Sequence, residues 1–157
     1  MTAMLREQGD MPTSPSVLVV DDNRDNRDLL AEYLTFLGCT VETVATGAEA
    51  ISVAEAVRPH VVLMDLGLPG MLDGWEATRR IKSHPRLKQT VVIAVTAHGF
   101  PADVERAMQA GCHAVVVKPY DVVALGQQVR LLVAERQRRV PAKARHRSRQ
   151  VSDAHQG

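Results

Sequence analysis

The chain has little aromatic content and little cysteine. Among 157 residues there are one Trp, two Tyr, two Phe and two Cys. Two cysteines cannot build a disulfide framework, and Cys39 and Cys112 read as reduced, partly buried small side chains. No CxxC or HxxxH spacing joins them to the six histidines, so a zinc site of about four ligands is not expected. No apolar run approaches the ~18 residues that a membrane span needs. The first residues, "MTAMLREQGDMPTSPS", lack the apolar stretch of a secretion signal. These absences predict a cytoplasmic protein with no membrane partner. Nor is there any internal repeat longer than one strand–helix unit.

What is present is an ordinary globular balance, 45% apolar and 24% charged, in a length that suits one domain. The net charge of +1 conceals an asymmetry. Residues 1–135 sum to −5, whereas residues 136–157 carry seven basic side chains against Asp153 and sum to +6.

Five short apolar runs read as strands: 16–20, 39–45, 60–64, 90–95 and 113–117. Between and after them lie helical patterns. In the first, Leu30, Tyr33, Leu34 and Leu37 fall at i, i+3, i+4, i+7, and Gly38 is a stop signal. In the second, Thr46 is a candidate cap and Pro59 lies past the end. The third begins at the lone Trp75, which reads as a packing anchor rather than a ligand stack. The fourth runs from Pro101 to Gly111. The last has Val122, Leu125, Val129 and Leu132 on one face. Strands alternating with helices predict an α/β fold whose parallel sheet is covered on both faces.

The residues that end the strands carry the chemistry. The first strand runs into Asp21 and Asp22, the third into Asp65, the fourth into Thr96 and the fifth into Lys118. In strand order 2-1-3-4-5 the first and third strands are neighbours, and the three aspartates meet in one crevice. Three carboxylates so close need compensation. An all-oxygen donor set with few protein ligands suits Mg²⁺, which often completes its shell from a phosphate. Lys118 supplies a point charge and Thr96 a hydroxyl. Any one of these residues could merely cap its own loop. Five of them at four strand ends match the parts needed to move a phosphoryl group onto an aspartate.

The set "VLVVDD", "VVLMDLGLPGMLDG", "VIAVTA" and "VVVKP", in this order and spacing, resembles the receiver domain of two-component response regulators. The resemblance covers residues 16–135 and implies a flavodoxin-like, doubly wound sheet of five strands with five helices. It leaves 1–15 as a flexible N-terminus and 136–157 as a disordered basic tail. It further implies that Asp65 is the phosphoacceptor, attacking a phosphohistidine on a histidine kinase or phosphotransfer protein. Asp22 becomes a direct Mg²⁺ ligand, and Asp21 orients the site through a water on the metal. The Gly67 backbone carbonyl is the third protein ligand. Thr96 and Lys118 bind the phosphoryl oxygens after transfer and draw the 96–100 loop into an active state. Pro119 follows the lysine through a cis bond.

Two departures stand out. Val115 occupies the place where the family usually carries an aromatic switch residue, and valine is small and stiff at χ1. The stretch from Asp65 to Gly74 is one residue longer than usual, with Leu72 the extra one.

The implied protein is a stand-alone receiver that is not itself an enzyme, although it assists its own phosphorylation and dephosphorylation. It would signal by shape change to a downstream protein partner, with a phosphorylation-dependent homodimer left open. Two other readings remain. A haloacid-dehalogenase-type aspartyl-phosphate phosphatase expects a second acid two residues after the nucleophile, where this chain has Gly67. A DNA-associated regulator would act through the basic tail, which has no aromatic residue and is too short for a folded DNA-binding domain, so specific nucleic-acid recognition is not expected. His98 reads as a solvated loop residue.

Overall fold

The structure is a computed structural model that describes residues 14–138. The expectations for the first thirteen residues and for residues 139–157 lie outside the described residues. Strands β1 (Ser16–Val20), β2 (Thr40–Val44), β3 (Val61–Asp65), β4 (Val91–Thr96) and β5 (Ala114–Val117) form one sheet. All four pairings are parallel, in the order β2-β1-β3-β4-β5. Helices α1 (Arg24–Phe36), α2 (Gly47–Val57), α3 (Gly74–Ser83), α4 (Pro101–Ala110) and α5 (Val122–Arg138) connect or follow the strands. This is the five-stranded, doubly wound arrangement that the alternating pattern predicts.

The central strands β3 and β4 are buried from end to end, which is why their sequences run apolar without alternation. Successive side chains still point to opposite faces. Leu18, Val20 and Met64 pack under α2, α3 and α4, with Ala50, Ala54, Ala77, Ile81 and Ala107. Val17, Val19 and Leu63 pack under α1 and α5, with Leu30, Leu34, Leu125 and Val129. The edge strand β2 leaves Thr40, Glu42 and Thr43 exposed.

Local signals account for the helix starts. Asn23, Thr46 and Asp73 each accept a hydrogen bond from the backbone N–H three residues on. At Thr46 the hydroxyl accepts from the Glu49 N–H at 3.2 Å and donates to Glu49 Oε1 at 2.9 Å, so cap and carboxylate hold each other. α4 starts at Pro101 and ends at Gly111, as the sequence predicts.

The structure adds three features. A 3-10 turn, Pro85–Leu87, follows α3 and drives Leu87 fully into the core. Asp65 and Thr96 are the last residues of their strands rather than the first of their loops. On α5 the buried apolar residues are Leu125, Val129 and Val133, whereas Val122 and Leu132 are only partly covered.

Cys39 and Cys112 precede β2 and β5, the two edges of the sheet. Four strand steps of ~4.8 Å separate those edges by roughly 19 Å, and a disulfide needs Cα atoms within about 7 Å. Burial pushes the Cys112 thiol up to about 11 and raises Cys39 as well. The expected result is slow alkylation of both thiols by iodoacetamide at pH 8 in the folded protein and rapid alkylation in urea. A Cys39–Cys112 peptide in a non-reducing map, or fast native labelling of Cys112, would contradict this topology.

Candidate functional site

The sheet order places the C-terminal ends of β1 and β3 side by side, and the helices that leave them go to opposite faces. A crevice opens at such a point. Asp21, Asp22 and Asp65 converge there, each offering a carboxylate oxygen within 4.8 Å of the others. Asp21 and Asp65 are only 5% and 6% exposed, while Asp22 faces solvent.

Lys118 reaches in from the end of β5. Its Nζ lies 3.1 Å from Asp65 Oδ2 and 3.3 Å from Asp21 Oδ2. The remaining oxygens of both acids are held by backbone. Asp65 Oδ1 accepts from Gly67 N–H at 2.8 Å, and Asp21 Oδ1 from Asn23 N–H at 2.9 Å. The Lys118–Pro119 bond is cis. Thr96 lies next to Lys118 on the β4–β5 ladder, where its carbonyl accepts from Lys118 N–H. Its hydroxyl is not aimed at the carboxylates. It donates to the His98 carbonyl and accepts from the His98 N–H, both at 3.1 Å. His98 is exposed and stacks on Phe100 with ring centroids 6.0 Å apart. Val115 is half-buried against the core.

The electrostatics follow from burial and pairing. Desolvation lifts the Asp65 carboxyl above its ordinary value, and the Gly67 N–H and Lys118 pull it only partly back. Burial works to lower Lys118, but Asp65 and Asp21 outweigh it and hold the amine above its usual value. Tyr120 is half-buried close by, its phenol raised by burial and then by Asp21.

A carboxyl with a raised folded pKa binds more protons folded than unfolded as pH climbs from 3.8, so ionised Asp65 costs stability at neutral pH. Asp65→Asn is therefore expected to raise the unfolding free energy at pH 7, with the gain shrinking as pH falls towards 3.8. Equal effects at both pH values, measured by urea melts, would show that Asp65 is not desolvated.

Other residues shape the site without any sequence signal that singled them out. Arg27 on α1 donates to the Asp21 carbonyl at 2.9 Å and so anchors the turn carrying both acids. Gly74, the first residue of α3, presses on the backbone of Asp65 and Leu66. A Cβ there would overlap the Asp65 carbonyl oxygen and lie 2.7 Å from Leu66 Cα. The Asp73 cap did carry a signal, an Asp three residues before Glu76. Leu72, in the loop between Asp65 and Gly74, is half-buried. Its carbonyl and side chain rest on Gly47 of α2, where a Cβ would sit 2.5 Å from that carbonyl. Trp75 packs on the core, with Arg106 lying 4.3 Å over its ring.

Residues 17–130 match the family model described as the response regulator receiver domain. The chain belongs to this family. A polar-differentiation response regulator, DivK of Brucella anthropi, is 37% identical over 107 residues, covering 68% of this chain and 86% of that protein. The receiver domain of a sensor histidine kinase from Pseudomonas aeruginosa PAO1, solved with a magnesium ion coordinated in its active site cleft, aligns with a TM-score of 0.70. It is 33% identical and covers 77% of this chain and 98% of that one. The chemotaxis response regulator CheY4 of Vibrio cholerae is 26% identical with a TM-score of 0.70, over 74% of this chain and 97% of that one. This receiver therefore belongs to two-component signalling, as its strand-end motifs imply. No helix among its described residues is long and apolar enough to cross a membrane.

The donor set here fits a hard divalent cation. Its three carboxylates offer oxygen alone, two are buried and the third opens to solvent. Family membership replaces the haloacid-dehalogenase reading. Gly67 offers the site a backbone N–H in place of a second acid.

Proposed function

We propose that this receiver accepts a phosphoryl group on Asp65 from a phosphohistidine of a histidine kinase or phosphotransfer protein and signals to a downstream protein. The observation that carries the reading is the setting of Asp65. It is a buried carboxylate with one oxygen on the Gly67 N–H and the other on Lys118, beside two further acids.

An Asp65 carboxylate oxygen attacks phosphorus, and the donor's P–N bond breaks with its electron pair leaving on the imidazole nitrogen. Desolvation leaves the carboxylate poorly stabilised by water and hence a better nucleophile. Lys118 already lies between the acids and supplies positive charge to the incoming phosphoryl oxygens. Asp21, Asp22, Asp65 and the Gly67 carbonyl would hold Mg²⁺, which supplies further positive charge against those oxygens. Arg27 and Asn23 keep Asp21 oriented through its carbonyl and Oδ1.

Thr96 must give up both hydrogen bonds to His98 before its hydroxyl can reach a phosphoryl oxygen. Each such bond is worth about 1 kcal/mol. The exchange couples phosphorylation to the 97–100 segment and to α4 behind it, while Val115 gates nothing by an aromatic rotation. The donor would dock along α1, whose exposed Leu29 and Phe36 flank Tyr33 at i, i+4, i+7 and lead away from Asp22. We assign residues 16–135 to the receiver.

The test is incubation of the full chain with acetyl phosphate, read by intact mass. One added phosphoryl is expected with Mg²⁺, none with EDTA, and none in Asp65→Asn. Equal uptake by Asp65→Asn would refute the assignment.

A further inference from the structure

The two ends of this molecule carry opposite charge. The segments at the C-terminal edge of the sheet, residues 21–25, 65–73, 96–100 and 118–121, hold six carboxylates and two basic side chains. At the opposite edge lie residues 58–60, 84–90 and 111–113, together with Lys82 near the end of α3 and the last turn of α5. These hold Arg58, Lys82, Arg86, Lys88, Arg136 and Arg138 and three histidines against Glu135 in that last turn, while Glu55, near the end of α2, lies 3.9 Å from His84. The remaining connection on that edge, 37–39, is uncharged.

Part of this is ordinary helix chemistry. Every helix here ends at that edge, and cations suit the carbonyl ends of helices. Lys82 donates to the carbonyls of Lys88 and Thr90, and Arg136 donates to that of Gln89 at 2.9 Å. Arg58, Arg86 and Lys88 are not so employed. All three are exposed, and none forms an ion pair among the described residues. The Arg136 contact also fixes the end of α5 against this pole. The sequence continues from there with Arg139, Lys143, Arg145, Arg147 and Arg149.

We infer that this basic pole is a polyanion-binding face that takes the phosphate backbone of duplex nucleic acid without reading its sequence. Guanidinium groups, which pair bidentately with phosphate, outnumber the ammonium groups. The charges are spread over several connections rather than gathered in a pocket, as a repeating phosphate ladder requires. A protein partner would want a central apolar anchor. The exposed apolar residues near this edge, Phe36, Val57 and Met108, are spread over the ends of three different helices rather than gathered on one. The face lies at the far end from Asp65, so the receiver can hold a polyanion while its acidic crevice stays open to a donor.

The experiment measures fluorescence anisotropy of a short random-sequence DNA duplex with the full chain, at salt from about 50 to about 200 mM. The parent is expected to bind, with affinity falling steeply as salt rises. Arg58→Glu/Arg86→Glu/Lys88→Glu in the full chain is expected to bind at least tenfold more weakly at the lowest salt. Its log–log salt slope should be shallower by about 2–3, since each lost phosphate contact removes about 0.9. Neutralising the same three positions to Gln should give a smaller loss in the same direction and serves if the reversed set folds poorly. Phosphoryl uptake from acetyl phosphate should match the parent in both. A second full-length variant, with the five basic residues from Arg139 to Arg149 changed to Gln, should retain measurable binding that the pole substitutions then abolish. The inference fails if the parent does not bind, or if the pole variants bind as the parent does. It fails equally if polyglutamate displaces the duplex as well as unlabelled duplex does, because the face would then fit an acidic protein.

Discussion

Lys118→Met is expected to lower the thermal midpoint at pH 7 in EDTA by roughly 10 °C, and Mg²⁺ is expected to restore most of the loss. The lysine side chain is 24% exposed, yet it is the cation shared by Asp21 and Asp65, whose side chains are 7% and 8% exposed. Removing one partner of a buried pair leaves uncompensated charge and costs about 3 kcal/mol. Methionine keeps most of the packing volume, and the Lys118 N–H to Thr96 carbonyl bond is backbone and survives. A divalent cation among the same carboxylates offsets the missing charge. A ligand at a hundred times its Kd stabilises by about 2.7 kcal/mol. The loss should also shrink as pH falls and Asp65, whose carboxyl is raised by desolvation, takes up its proton. An unchanged melt in EDTA would show that the lysine is not compensating the acids. A Mg²⁺ effect no larger than in the parent would show that the metal and the lysine do not answer the same charge.

The second large effect is expected from glycine. Gly74→Ala should cost about 2–3 kcal/mol in urea unfolding, because the neighbours of its Cβ are backbone atoms of Asp65 and Leu66 that cannot rotate away. An exposed alanine in a helix is otherwise preferred to glycine by up to about 1 kcal/mol, so the sign itself is informative. Whatever relief the chain finds must move α3 or the Asp65 backbone. Slower phosphoryl uptake from acetyl phosphate should therefore accompany the loss of stability. Gly67→Ala is the internal control. A Cβ there meets only Asp65 Oδ1, at an ordinary 3.5 Å, and the fold should keep its stability. Equal stability of the two variants would mean that α3 is not pressed against the site.

Much of the fold could be read from the chain because its signals are local or periodic. The apolar runs at 17–20, 61–64 and 91–95 are continuous since those strands are covered on both faces. Thr46, Pro101 and Gly111 stand where their helix-end chemistry places them. The 3-10 turn at Pro85–Leu87 was not legible. Its purpose is to bury Leu87 beneath α2 and α3, and nothing within a few residues of Leu87 announces that contact. On α5 the helical period identified the right stripe but not its centre, since packing against α1 decides whether Leu132 or Val133 is covered.

For the site, the sequence by itself singled out the candidate groups: the three aspartates, Thr96 and Lys118 at strand ends, in a spacing that resembles a receiver. Strand-end chemistry is local, and an alternating α/β pattern fixes which edge those ends share. Only the tertiary structure decided how the groups are engaged. It placed Lys118 between Asp21 and Asp65 across separations of 97 and 53 residues. It turned the Thr96 hydroxyl into its own loop, folded Leu72 onto Gly47, and set Gly74 against the Asp65 backbone. It also gathered the basic side chains of distant connections at one pole. These are contacts between segments far apart in the chain, fixed by close packing in three dimensions, and no periodicity along one segment encodes them.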